Sequence, residues 1–182
     1  MLQRLTPLVV SSLLFCTTLS AAAFELRSPE VSEGATLDKA QVYSGYGCTG
    51  GNLSPALSWT GAPAGTLSFA LTVFDPDAPT GKGWWHWIVY DLPAVTNSLS
   101  RGIGHATSLP RGAIEALNDF GARGFGGACP PPGDKPHRYV FTIHALSVVK
   151  LEVPRDASAE LISLAINANQ LGKASITARY GR

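Results

Sequence analysis

The sequence predicts a mainly β domain with a single helix near its C-terminus. Three observations lead there. Runs of apolar and β-branched residues are short and separated by Gly, Asn, Ser and Pro. Three of them, Ser68 to Phe74, Trp87 to Tyr90 and Arg138 to Leu146, are apolar at odd and even positions alike, which suits strands covered on both faces. Only the stretch after Asp156 carries a clear helical period.

Taken in order, the chain opens with Arg4, an uncharged apolar or small run from Pro7 to Leu19, and Ala21-Ala22-Ala23. That pattern predicts a cleaved signal peptide over residues 1–23 and export to the periplasm or beyond. The run is too short for a transmembrane span, which needs roughly 20 apolar residues. Residues 24–182 then form one domain. Short strands are expected at Phe24 to Leu26, Gln41 to Tyr43 and Ala56 to Trp59, ahead of the three central runs. For the helix, Asp156 is the expected cap. Leu161, Leu164, Ala165, Ala168 and Leu171 share its apolar face, and Gly172 stands at the C′ position. Ser175 to Tyr180 returns to strand.

From Arg101 to Pro136 no period holds, and 8 of the 36 residues are Gly and 5 are Pro. Pro130-Pro131-Pro132 fixes φ three times running, so this segment reads as an ordered loop that delivers chain to a site. Asp119-Phe120-Gly121 within it carries no catalytic meaning in a chain too short for a kinase.

Setting Arg4 aside takes the formal charge from +1 to zero, which gives no electrostatic footprint for nucleic acid. Cys48 and Cys129 remain after cleavage. In an oxidising compartment they read as a disulfide, with two buried free thiols as the competing reading. No Cys-x-x-Cys or His/Cys metal spacing occurs, so no metal or cofactor is expected.

The chemistry concentrates in Asp75-Pro76-Asp77-Ala78-Pro79, Trp85-His86-Trp87 and His137-Arg138-Tyr139, each at the end of a strand-like run. Two prolines hold two carboxylates rigidly where charge must be paired or hydrogen-bonded. The plainer reading is an Asp-Pro turn with Asx-type capping. His137 and Tyr139 share a strand face; His144 lies on the other and is expected to be satisfied within the fold, and His105 to be solvated. A carboxylate beside a histidine raises its pKa and orients its ring, and an imidazolium so held binds anions. Acid–base or metal-assisted hydrolysis is the rival. Against it, Gly-x-Ser-x-Gly and His-Glu-x-x-His are both absent.

These motifs, with Tyr43-Ser44-Gly45, Cys48 to Trp59, Gly83-Trp84-Trp85-His86-Trp87, Asn118-Asp119-Phe120-Gly121, Gly124 to Pro131 and Pro136 to Tyr139, give a chain that resembles the phosphatidylethanolamine-binding protein family, in its bacterial Raf-kinase-inhibitor-like YbhB/YbcL branch. The resemblance implies an antiparallel β-sandwich with a small C-terminal helix and a pocket at one end for phosphate or phosphorylated head groups. It places Asp75, Asp77, His86, His137 and Tyr139 in that pocket, with Pro79 and Pro130 shaping its wall. The Cys129 amide or a neighbouring glycine would donate to the anion. A Cys48–Cys129 bridge would tie the pocket loop to the N-terminal region. Phe125, where relatives usually carry Tyr, and Ala128, where many have Pro, depart from the pattern and bear on the loop's polarity and rigidity. The implied role is non-enzymatic binding of a small phosphorylated ligand. Protein partners, such as a kinase or protease that is inhibited, and a homodimer are implied as well.

Overall fold

The computed structural model describes residues 22–104 and 108–182. The signal-peptide reading therefore falls almost wholly outside the described residues, and so does His105. No described helix is long and apolar enough to cross a membrane.

Among the described residues the fold is mainly β with one α-helix, as the sequence predicts. Strands β5 (Ser68–Asp75), β6 (Trp84–Pro93), β8 (Ile114–Glu115), β9 (His137–Leu146) and β10 (Gln170–Tyr180) form a five-stranded antiparallel sheet in the order β10-β9-β5-β6-β8. Strands β1 (Glu25–Arg27), β4 (Leu57–Thr60) and β7 (Ser98–Leu99) make a three-stranded antiparallel sheet in the order β1-β4-β7. Strands β2 (Ser44–Gly45) and β3 (Cys48–Thr49) form a hairpin, and helix α1 spans Ala159–Ala168.

The double-sided apolar runs are explained by what covers the large sheet. Phe69, Leu71 and Val73 of β5, with Trp87, Val89, Phe141 and Ile143, share one core with Leu26, Leu57, Trp59 and Leu99 of the small sheet. The alternate residues Ala70, Ile88 and Tyr90, together with Leu146, pack on Leu151, Ala159, Ile162 and Ile166 in and before the helix. Each fully buried Leu, Ile or Phe contributes roughly 1.5–3 kcal/mol by leaving water. Both parities are therefore apolar because both faces are covered.

Four local expectations are corrected. Gln41 does not begin a strand; Lys39–Gln41 is a 3-10 turn capped by Asp38, and pairing resumes at Ser44. The helix is capped by Ser158, whose hydroxyl accepts from the Leu161 amide, and not by Asp156. Its buried residues are Ala159, Ile162 and Ile166, while Leu161, Leu164 and Leu171 are exposed. The helix carries two apolar stripes, and docking on Ile88 and Tyr90 selects the one the period alone did not single out. Gly172 lies inside β10, where a Cβ would stand 2.9 Å from Pro63 Cγ; it is there for close approach, not to end the helix.

This topology positions the site. β5 ends at Asp75, while its two neighbours β6 and β9 begin at Trp84 and His137. Antiparallel pairing brings these three termini to one end of the sheet. Between Val73↔Trp87 and Phe74↔Trp85 the register slips, leaving His86 as the extra residue of a bulge. Such bulges re-aim a side chain at a sheet's end.

Candidate functional site: a polar-floored cavity at the sheet end

Asp75, Pro79, His86, Cys129, Pro130, His137 and Tyr139 border one cavity of about 420 Å³. Asp77 does not. Its carboxylate turns into a neighbouring cleft and accepts from Arg138 three times, at 2.8 Å from the backbone amide and at 2.9 and 2.6 Å from the guanidinium. The guanidinium bonds hold Asp77 down at about 2. Two residues apart on a Pro-stiffened segment, one carboxylate floors the cavity and the other latches β9.

Asp75 joins both readings of its motif. Oδ1 accepts from the Asp77 amide at 2.8 Å, which is the Asx turn. Oδ2 pairs with His137 Nδ1 at 2.7 Å, with both side chains almost fully buried. His137 Nε2 faces Asp134 at 3.4 Å. His137 is thus oriented by carboxylates on either side.

His86 is held differently. Its Nδ1 donates to the Gly126 carbonyl at 2.7 Å and reaches Gly127 at 3.2 Å. Burial lowers its pKa to about 4, against the opposing pull of those carbonyls and of Asp75. A ring so excluded from water stays neutral, and with Nδ1 donating to the carbonyls its other nitrogen is an acceptor.

Tyr139 is 1 % exposed and packs its ring edge against His86 at 5.0 Å between centroids. Its hydroxyl has no hydrogen-bond partner in the protein. Burial, reinforced by Asp75, pushes the phenol up and keeps the proton on it, against a smaller opposing pull from the Cys129 amide, which does not reach hydrogen-bonding geometry. The indole N–H of Trp84, another residue that borders the cavity, is likewise buried without a partner.

The wall comes from the long loop. Asn118 Oδ1 accepts from the Phe120 and Ala122 amides at 3.0 and 3.2 Å, and its amide donates to Gly124 O at 2.9 Å. Asp119 accepts from the Trp85 amide at 2.8 Å. The Asp-Phe-Gly triplet is thus a turn that sets Phe120 against the cavity, stacked on Tyr43 at 4.1 Å. Cys129 is bonded to Cys48, which joins the proline wall to the β2–β3 hairpin across 81 residues of sequence. Closing a loop of that length stabilises the fold by about 4 kcal/mol on chain-entropy grounds. Phe125 packs edge-on to Trp87 at 5.7 Å and Ala128 is 1 % exposed; both belong to the core and neither borders the cavity. His144, on the far face, is satisfied by Thr72 at 3.1 Å and Gln170 at 2.7 Å.

Eight bordering residues are not singled out as contacts by the sequence: Ala78, Thr80, Pro131 and Pro132 beside those that are, and Tyr46, Trp84, Phe120 and Arg182. Trp84 and Phe120 sit in the Gly83–Trp87 and Asn118–Gly121 motifs, where no local signal points them at the wall. Nothing near Arg182 in the sequence signals it. Among the described residues no group of three His, Cys, Asp or Glu side chains is disposed to hold a metal ion.

A β-sandwich with a small, polar-floored cavity at one end is the architecture of a ligand-binding domain. The family model described as phosphatidylethanolamine-binding protein matches residues 27–181, and the chain belongs to that family. It is 50% identical over 177 residues to the UPF0098 protein YbcL of Escherichia coli (strain K12), covering 95% of this chain and 97% of that protein. To YbhB of the same organism it is 43% identical over 157 residues, covering 86% and 99%. The crystal structure of E. coli YbcL, described as a new member of the mammalian PEBP family, superposes with a TM-score of 0.84 at 48% identity, covering 88% of this chain and 99% of that one.

Proposed function

We propose that the chain is an exported, non-enzymatic binding protein whose end cavity takes a small anionic group, a phosphate or a phosphorylated head group. The observation that carries this is a pair of buried donors without an acceptor, the Tyr139 hydroxyl and the Trp84 indole N–H, on residues that border the cavity. Buried donors left unpaired cost roughly 1–3 kcal/mol each, a cost that an acceptor-rich ligand removes. Membership of a family named for a phospholipid supports the same ligand chemistry. The cavity, at about 420 Å³, suits a head group better than acyl chains. Recognition rather than turnover is supported by the lining: Thr80 spends its hydroxyl on Gly83 O, Cys129 is in the disulfide, and Tyr139 keeps its proton. Export is supported by the leader-like residues 1–23 and by that disulfide.

Titration of inorganic phosphate and O-phosphoethanolamine, followed by NMR and calorimetry, tests the reading. Wild type should show saturable shifts at Trp84, His86 and Tyr139, and Asp75→Ala and His137→Ala should lose them. No saturable response in wild type would sink the anion reading and turn the search to protein partners.

A further inference from the structure

An anion in this cavity needs a positive partner, and the side chains singled out in the sequence do not supply one freely. His86 is neutral, with Nδ1 spent on carbonyls. His137 stands between the carboxylates of Asp75 and Asp134, so any charge it carries is already matched. Among the described residues bordering the cavity, the one Lys or Arg is Arg182.

Its guanidinium is clamped by backbone carbonyls. Nε donates to the Pro130 carbonyl at 2.7 Å and Nη2 reaches the Tyr46 carbonyl at 3.3 Å. Among the described residues no side-chain carboxylate is ion-paired with it. Its main-chain oxygen accepts from the Gly133 amide at 2.9 Å, which fixes the backbone that carries it. Tyr46 and Gly47 form the two-residue turn of the β2–β3 hairpin, at φ 51° and 79°. A Cβ at Gly47 would stand 3.3 Å from Nη1, so the bare glycine leaves the guanidinium room. Hairpin and proline wall are joined by the Cys48–Cys129 bond, so both of its carbonyl acceptors belong to one rigid rim. A planar, permanently charged fork held by neutral acceptors is suited to phosphate oxygens.

We propose that Arg182 is the anion-recognising cation of this cavity, contacting the phosphate oxygens of the ligand while Tyr139 and Trp84 donate to the same group. The inference rests on the anion-binding reading above.

The test is titration of inorganic phosphate and O-phosphoethanolamine, by calorimetry at two salt concentrations, into wild type, Arg182→Gln, Arg182→Lys and Arg179→Gln, the last from the neighbouring cleft. Loss of one charge-assisted contact should weaken both probes about ten- to a hundredfold in Arg182→Gln. Arg182→Lys, which keeps the charge and part of the clamp, should fall between. Arg179→Gln should bind as wild type, and wild-type affinity should fall more steeply with salt than that of Arg182→Gln. Binding by Arg182→Gln within twofold of wild type would overturn the assignment. So would an equal loss in Arg179→Gln, which would indicate a general field, or a loss for phosphoethanolamine alone, which would remove Arg182 from the phosphate. A wild type that binds neither probe fails at the earlier step and brings down the anion reading together with this one.

Discussion

The two faces of the large sheet treat polar side chains in opposite ways. On the helix-covered face, His144 is bonded at both ring nitrogens, Asp91 accepts from the Leu151 amide at 2.9 Å, and the Ser68 hydroxyl donates to Val148 O. At the cavity end, Tyr139 and Trp84 keep buried donors without partners, and His86 is bonded on one side only. The first arrangement repays desolvation inside the fold. The second leaves it to be repaid by something that enters. Asp75 and Asp77 draw the same contrast in miniature, one set on the cavity floor and the other committed to Arg138.

The sharpest way to break the comparison is to cut the packed face. Ile162→Ala should cost about 2–5 kcal/mol in denaturant unfolding, whereas Leu164→Ala, on the exposed stripe of the same helix, should stay within about 0.5 kcal/mol. A larger cost at Leu164 than at Ile162 would mean that the helix docks by its other stripe. Next comes His144→Ala, which strands Thr72 and Gln170 and should cost about 2 kcal/mol by the same measurement.

His86 gives a pH signature. A base whose folded pKa, about 4, lies below its ordinary 6.5 binds fewer protons when folded than when unfolded. The stability it contributes is therefore full above about pH 6.5 and is lost as pH falls towards 4. Thermal melts across that window should show a slope that His86→Gln reduces; the buried His144, also pushed down, leaves a remainder. An unchanged slope would mean that His86 is charged in the folded protein.

The smallest effect is expected at Tyr139→Phe. Removing a hydroxyl with no partner should shift stability by less than about 1 kcal/mol, in either direction, while weakening phosphate binding. A large destabilisation there would show that the hydroxyl is satisfied within the protein, and the contrast between the two faces would lose its strongest residue.

Much of the site was legible in the sequence because strand ends are local. Asp75, His86, His137 and Tyr139 each follow from a run of apolar residues that stops, and antiparallel pairing of those runs gathers the stops at one end. His86 borders the cavity, but its charge state is not readable locally, because it is set first by burial under residues distant in the chain, against the opposing pull of the Gly126 and Gly127 carbonyls. The buried stripe of α1 was also beyond local reading, since Leu164 and Ile162 satisfy the same period and only the shape of the sheet beneath distinguishes them.

The sequence by itself determined the strand and helix content, the double-sided burial of the central strands, and the cluster of carboxylates, imidazoles and phenol at their ends. These rest on local periodicity and on the fixed φ of proline. Tertiary structure decided which of Asp75 and Asp77 meets the cavity, that burial keeps His86 neutral, and that Arg182 stands at the rim beside Pro130 and Tyr46. Those outcomes depend on distances between residues far apart in the chain, and on the water that packing excludes between them.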